Sequence, residues 1–507
     1  MPLPQANTSW PPKELSPILD QISTWNAWYV GNPERLEKAY RSGSQAKTRP
    51  SQLAGGVVGK VSRWWWGRPQ VDGKSTPAKL HIPAAADLAV ASADLLFSEP
   101  PVITAGDKTT QDHITGYVDD GLLTGFAEAA EISAALGGVY LRATWDQKLA
   151  QHAFISRVDA DAALPTFRWG RLVAVTFWHV VHQDNNTVLR HVEAHETDSL
   201  GIGVVFHGLY QGTPDNLGRQ IPLSEHPSTT GLQVDADSKI STLTPGLDVV
   251  YVPNQTPNRL WRTDPIGTNL GRSDYDGVEP LMDALDETWS SWIRDLRLGK
   301  ARLIAADSLL EDKGPGKGSV LDLDREIWSS VNAIQRTDQP GLPIEQVQFA
   351  IRVEEHKATA DALLEQIRRT AGYSAQTFAE GQVTHQQTAT EVTARERRSY
   401  LTRDRKVRAW QPAARTLIKK LLEIDKAVFN ANVNPDDLVF QFADGVQESP
   451  ETLARTATLL KQAEAASVKT LVQFVHPEWD DTAVEAETQL ILQERGNTVE
   501  NPFELTE

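Results

Sequence analysis

Leu281, Leu285, Trp289, Trp292 and Leu296 recur at spacings of 4, 4, 3 and 4 residues, which places them on one face of an α-helix. Pro280 suits the first helical turn, where no backbone donor is needed. Asp283, Asp286 and Glu287 lie early in this stretch and Arg294, Arg297 and Lys300 late, in the sense that complements the helix dipole. A second helix is expected from about Glu354 to Thr370, with Leu363, Leu364 and Ile367 on its apolar side and Gly372 positioned to end it. Between the two lies an insert, about Ala301 to Arg352, punctuated by Lys313-Gly314-Pro315-Gly316-Lys317-Gly318 and by Gln339-Pro340-Gly341-Leu342-Pro343. Its two turn clusters surround a short helical piece near Leu323–Arg336. Two helices bracketing a small module predict a projecting hairpin, so the chain cannot be one simple core.

The flanks differ in character. From Met1 to about Asp276 the sequence reads as mixed α and β. It holds ten of the fifteen Trp, among them the run Trp64-Trp65-Trp66. Strands are expected at Gly138–Trp145, Leu172–Trp178, Val204–His207 and Val249–Val252, from their β-branched and aromatic content. A helix is expected over Ala84–Phe97, stopped by Pro100-Pro101. A polar stretch, Tyr373 to Gln387, follows the second hairpin helix. Then Thr388-Ala389-Thr390-Glu391 fits a capping box. The helix it opens, Thr388 to Phe429, would be about 60 Å long, with an apolar face of Val407, Trp410, Ala414, Leu417, Leu421, Ile424 and Val428 and a kink at Pro412. Beyond it we expect a strand at Leu438–Phe442 and helices near Pro450–Phe474 and Thr482–Gln493.

Charge and composition narrow the function classes. The 507-residue chain carries a formal charge of −17 and no cysteine. Disulfides, thiolate metal sites and Cys nucleophiles are excluded, and a reducing compartment is expected. No stretch approaches the roughly 18 apolar residues of a membrane span, and the opening residues do not read as a signal peptide. A tight grip on duplex DNA calls for a basic surface, because affinity comes largely from neutralised phosphates. This chain has only a local one. From Glu391 to Lys426 there are eleven Lys and Arg against five Asp and Glu, and the tail from Ala431 reverses this with four against fifteen. Arg395, Arg397, Arg398, Arg403, Arg405, Lys406 and Arg408 invite a nucleic-acid reading. The interleaved acids favour a solvated or subunit-pairing face instead.

Catalytic motifs are weak. Gly314-Pro315-Gly316-Lys317-Gly318-Ser319 lacks the spacing of a phosphate loop and reads as a turn. No Gly-x-Ser-x-Gly elbow occurs. His191, Glu193 and His195 would share one face of a strand, a metal-like pattern whose plainer reading is a solvated strand face. The Trp64–Trp66 run reads better as core or interface anchors than as a base-stacking platform.

The order of parts resembles a tailed-bacteriophage portal protein, of the siphovirus type found in phages of actinobacteria. The residues carrying the likeness are Ile22-Ser23-Thr24-Trp25-Asn26-Ala27-Trp28-Tyr29, Ala86-Asp87-Leu88 and Asp94-Leu95-Leu96-Phe97-Ser98-Glu99-Pro100-Pro101. Leu136-Gly137-Gly138-Val139-Tyr140-Leu141, Trp169-Gly170-Arg171-Leu172 and Val192-Glu193-Ala194-His195-Glu196 continue it. The best match is Ala371-Gly372-Tyr373-Ser374-Ala375-Gln376-Thr377-Phe378 with Thr388-Ala389-Thr390-Glu391-Val392.

The resemblance implies an α+β portal-protein fold: a mixed α/β wing (1–276), a two-helix stem (277–300 and 354–372) and a small clip insert (301–353). A tunnel loop (373–387), a long kinked helix with a wing strand (388–447) and a helical C-terminal crown (448–507) complete it. It implies a non-enzymatic homo-oligomer, a ring of twelve at the capsid vertex, with no cofactor and no membrane. Double-stranded DNA would pass through its channel. The partners implied are the terminase large subunit, the head–tail adaptor, and the major capsid and scaffold proteins. Assembly would occur in the host cytoplasm and residence in the virion. Channel-facing residues would be Gln376, Thr377, Phe378, Glu380, Gln382, Val383, Thr384, His385 and Gln386. Arg395, Arg398 and Arg405 would touch DNA or a neighbouring subunit, and the stem face Leu281 to Leu296 would pack between subunits. Lys313, Lys317, Asp322 and Trp328 would meet partners at the clip. The alternatives are a metal-dependent nucleic-acid hydrolase using His191, Glu193 and His195, and a ring-forming adaptor or scaffold that threads no DNA.

Overall fold

A computed structural model describes residues 3–37, 80–298, 302–305, 311–312, 319–320, 344–347, 352–378, 389–442, 450–463, 465–476 and 481–496. The first helices are α1 (Ser16–Val30), α2 (Ala84–Phe97), α3 (Lys108–Asp119) and α4 (Leu122–Leu136). The hairpin helices are α5 (Glu279–Leu298) and α6 (Val353–Ala371), and the long helix is α7 (Ala389–Val428). Last come α8 (Pro450–Gln462), α9 (Val468–Val475) and α10 (Asp481–Gly496).

The largest sheet is antiparallel, in the order β4 (Ala163–Arg168), β5 (Arg171–Asp184), β6 (Thr187–Thr197), β7 (Ile202–Thr213) and β8 (Asn216–Ile221). β9 (Lys239–Pro245) adds to the first half of β7. A three-stranded sheet, β10–β2–β3, comprises Val249–Pro253, Gly138–Thr144 and Phe154–Asp159. β2 is buried on both faces, in keeping with its apolar run Val139-Tyr140-Leu141. It is entered through Gly137, whose φ of +90° ends α4 in a conformation L side chains avoid. β1 (Val102–Ala105) pairs antiparallel with β15 (Leu438–Gln441), so the chain beyond the long helix returns to the N-terminal half.

Two large cores result. One gathers α1, α2 and the base of α5 around Trp25, Trp28, Leu88 and Leu285. The other lies along α7, where Trp410, Leu417 and Leu421 meet Phe126 and Phe440. Trp410 sits edge-on to Phe97 at 5.2 Å and to Phe126 at 6.1 Å, arrangements that add to simple burial. A smaller core, including Tyr140 and Phe177, fills the space between the sheets.

Several expectations are met closely and others are corrected. α2 has its expected bounds. α6 ends at Gly372 with φ +96°, and Tyr373 N–H donates to Arg368 O at 2.9 Å, a Schellman closure. α7 runs through Pro412 without a break in assignment. The expected helix near Pro450–Phe474 is two helices, because Ser467 accepts from Thr470 N–H and starts a new one. In the insert, β11 (Arg302–Ala305) pairs with β14 (Ile344–Val347), and β12 (Glu311–Asp312) with β13 (Ser319–Val320). These strands were not expected from its turn clusters. Lys313, Lys317, Asp322, Trp328, the helical piece near 323–336 and Trp64–Trp66 lie outside the described residues.

Replacing Trp410 by Ala should lower unfolding free energy by about 3–5 kcal/mol, read as a lower urea midpoint followed by Trp fluorescence or circular dichroism. An unchanged midpoint would mean that the α7 core is not load-sharing as packed.

Candidate functional site

Three parts of the chain converge at the base of the α5–α6 hairpin. They are the turn leading into α5, the residues that leave α6, and the middle of α7. Asp274, in that turn, is fully enclosed. Its Oδ2 accepts from the Tyr373 hydroxyl at 2.6 Å and from Lys406 Nζ at 2.6 Å. Its Oδ1 accepts from Asn254 Nδ2 at 2.9 Å and Gln255 Nε2 at 2.6 Å. Lys406 also donates to Ser92 Oγ on α2 and to the Tyr373 hydroxyl. Burial raises the Asp274 carboxyl, but Lys406, Tyr373 and Asn254 outweigh it and hold the group below its ordinary value. Burial pulls Lys406 below its ordinary value against the pull of Asp274, and it pushes Tyr373 well up, so the phenol stays a donor.

The residues after Tyr373 are also fastened. Ser374 N–H donates to Ser399 Oγ at 2.9 Å, and Thr377 Oγ1 lies 2.7 Å from the same hydroxyl. Thr402 Oγ1 donates to Gly372 O at 2.7 Å. Phe378 stands edge-on to Tyr373, and the Arg368 guanidinium lies 4.5 Å from its ring centroid. The expected free loop therefore starts later than its polarity suggested. Residues 375–378 form a 3-10 turn, and Thr377 and Phe378 are engaged within the chain. Gln376, on the same turn, is half-buried. Glu380, Gln382, Val383, Thr384, His385 and Gln386 lie outside the described residues.

Away from this base the hairpin loses cover. Leu285 is buried, Leu281 and Trp289 are packed on the core edge, and Leu296 is 43% exposed. Trp292 stacks on His356 of α6 with planes 9° apart and lies 5.0 Å from Trp289. Asp295 accepts from His356 Nε2 at 2.9 Å and Arg352 at 3.3 Å, and the His356 bond first of all holds its carboxyl below the usual range. The indole N–H groups of Trp289 and Trp292 have no hydrogen-bond acceptor among the described residues.

The basic stretch of α7 is divided by the helix period. Arg398 and Arg405 are exposed, and Arg405 braces on Leu401 O and Thr402 Oγ1. Arg403 turns inward to Leu95 O at 2.7 Å, and Lys406 is the buried cation described above. Reading the whole run as a solvated or subunit-pairing face is corrected at these two positions. The signal was available: stepping the apolar face of Trp410 back along the helix reaches Lys406, Arg403, Thr402 and Ser399. The side chain of Arg395 is outside the described residues.

His191, Glu193 and His195 do share a face of β6, but it is buried rather than solvated. Arg142 of β2 donates to Glu193 Oε2, and Asp248 lies 2.9 Å from His195 Nδ1. His207 of β7 is brought 3.2 Å from His191, a partner that sequence reading missed because it comes from the next strand.

The family model described as phage portal protein, SPP1 Gp6-like, matches residues 18–501. Among solved structures, the chain is similar to the "neck of empty GTA particle computed with C6 symmetry" at 12% identity. That match covers 78% of this chain and 90% of that one, with a TM-score of 0.40. It is also similar to the "neck of native GTA particle computed with C12 symmetry", again at 12% identity, covering 80% and 89%, with a TM-score of 0.36. No curated protein matches the chain.

Lys406→Met should destabilise the chain by about 3–5 kcal/mol at neutral pH, because Asp274 would stay buried without its cation. In the wild type the depressed Asp274 value means that its contribution is present above the unfolded carboxylate value and lost as pH falls through the folded one. In the variant burial dominates and the Asp274 value rises above the unfolded one. The deficit should then be largest near pH 8 and shrink toward about pH 5, as read by urea titrations across pH. A pH-independent deficit would show that Lys406 acts by packing alone.

Proposed function

The chain belongs to the SPP1 Gp6-like phage portal protein family, and on that premise we propose a specific division of labour for its parts. Its function is that of a phage portal, a structural component of the capsid vertex. The match across residues 18–501 is the observation that carries this, because it spans every α-helix described above except the first two residues of α1. It does not favour a metal-dependent hydrolase.

In the proposed arrangement twelve copies close into a ring. Residues 1–276 form the wing, joined by α7 and β15, where capsid and scaffold proteins would dock. The α5–α6 hairpin is the stem, and 301–353 the clip, meeting the terminase large subunit during packaging and the head–tail adaptor afterwards. The face Leu281, Leu285, Trp289, Trp292 and Leu296 supports this: among the described residues it is packed on the core at Leu285 and 43% exposed at Leu296, leaving apolar area for a neighbour. Residues 373–387, of which 375–378 are the fastened turn, serve as the channel loop, and 448–507 as the crown.

Electrostatics support a conduit. A net charge of −17 disfavours a tight phosphate grip, which would stall DNA in transit. Arg398 and Arg405, exposed on one side of α7, are the candidates for transient contact with DNA or with a neighbour. Movement of DNA is driven by the external motor, and release follows the same channel.

Light scattering on the purified protein should give roughly 670 kDa, twelve copies of the 56.0 kDa chain. A monomer persisting at high concentration and with scaffold protein present would count against the ring. Deleting 379–387 should leave rings that assemble and enter capsids that stay empty of DNA. Normal packaging by that deletion would remove the channel role from the loop.

A further inference from the structure

We propose that His191, Glu193 and His207 form a structural binding site for one divalent transition-metal ion of the zinc class, clamping β6 to β7 inside the wing. This goes beyond the portal reading and does not depend on it.

Geometry carries the proposal. One ligand atom from each of the three residues can be chosen so that all lie within 4.8 Å of one another. His191 Nε2 and His207 Nδ1 are 3.2 Å apart. Two nitrogens bound at zinc distances of about 2.0–2.1 Å and a tetrahedral angle would stand about 3.4 Å apart, so this pair is almost set for an ion. Glu193 Oε1 is 3.5 Å from His191 Nδ1, within the 4.8 Å span of the three-residue group. Register explains the grouping. Glu193 lies directly opposite His207 across β6 and β7, and His191 precedes Glu193 by two residues on the same face.

A second observation points the same way. His195 is 97% buried by side chain, and its Nε2, 3.5 Å from Glu193, makes no hydrogen bond among the described residues. Its Nδ1 is held by Asp248, the arrangement by which a carboxylate orients an imidazole toward a metal. His179 of β5, opposite His191, likewise has an unpaired Nε2. Both rings border the three-residue group without belonging to it.

The charged groups facing the ion are Glu193, Arg142 and Asp248. Arg142 keeps Glu193 Oε2, which leaves Oε1 for the metal.

The test uses the full-length protein stripped with a chelator and titrated with Co²⁺. The expected result is visible absorption of tetrahedral intensity that saturates at about one ion per chain and is displaced by Zn²⁺. Zn²⁺, but not Mg²⁺, should raise the melting temperature. His207→Gln and Glu193→Gln should lose the saturating band while circular dichroism stays native, and His226→Ala, at a half-buried histidine outside β6 and β7, should keep it. No band and no melting shift in the wild type would overturn the proposal. So would an undiminished band in a folded His207→Gln. Should both variants fail to fold, the wild-type band and melting shift decide.

Discussion

A single enclosed carboxylate sets the junction on which the hairpin stands. Asp274 receives four side-chain hydrogen bonds, two on each oxygen. Its donors come from the loop after β10, the exit of α6 and the middle of α7. Removing an aspartate and a lysine from water costs several kcal/mol for each ion, and only full hydrogen bonding offsets this. The gain lies in geometry more than in net strength. Apolar packing alone would tolerate a turn's slippage of α7 against α2, whereas Lys406 reaches both Ser92 and Asp274 in one register.

Two further buried aspartates repeat the device. Asp286 on α5 lies 2.9 Å from His81 Nδ1 and accepts from Ile82 N–H, tying the hairpin to the residues that enter α2. Asp425 near the end of α7 accepts from the Tyr117 hydroxyl and Ala153 N–H and meets His113. Polar pins therefore fix the middle and the C-terminal end of the long helix α7 while the apolar face between them supplies the bulk of the burial. Along the hairpin, burial falls from Leu285 at its base to the largely exposed Leu296, while Asp295 still ties α5 to His356 and Arg352.

Local signals in the sequence carried far. The bounds of α2, the Gly372 stop and the face of α5 all follow from periodicity, turn chemistry and capping, which act over a few residues. What stayed hidden depends on partners distant in sequence. Alternation put His191, Glu193 and His195 on one face, but Arg142 and Asp248, which cover that face, come from β2 and from the turn before β10. Lys406 looked like one more surface charge because Asp274 lies in a turn with no regular pattern. Thr377 and Phe378 looked like free loop because Ser399 and Arg368, which fasten them, belong to neighbouring helices. The short strands of the insert escaped because each is too brief for a period-two pattern.

The pairing of β1 with β15 has a consequence for biogenesis. Its ends, like the His113–Asp425 contact spanning 312 residues, cannot form until the ribosome has released most of the chain. Long-range closure of this kind slows folding, because loop entropy is lost before native contacts repay it. It also acts as a check on completeness. A subunit terminated before α7 lacks the helix that fills its own N-terminal core and leaves that apolar surface exposed.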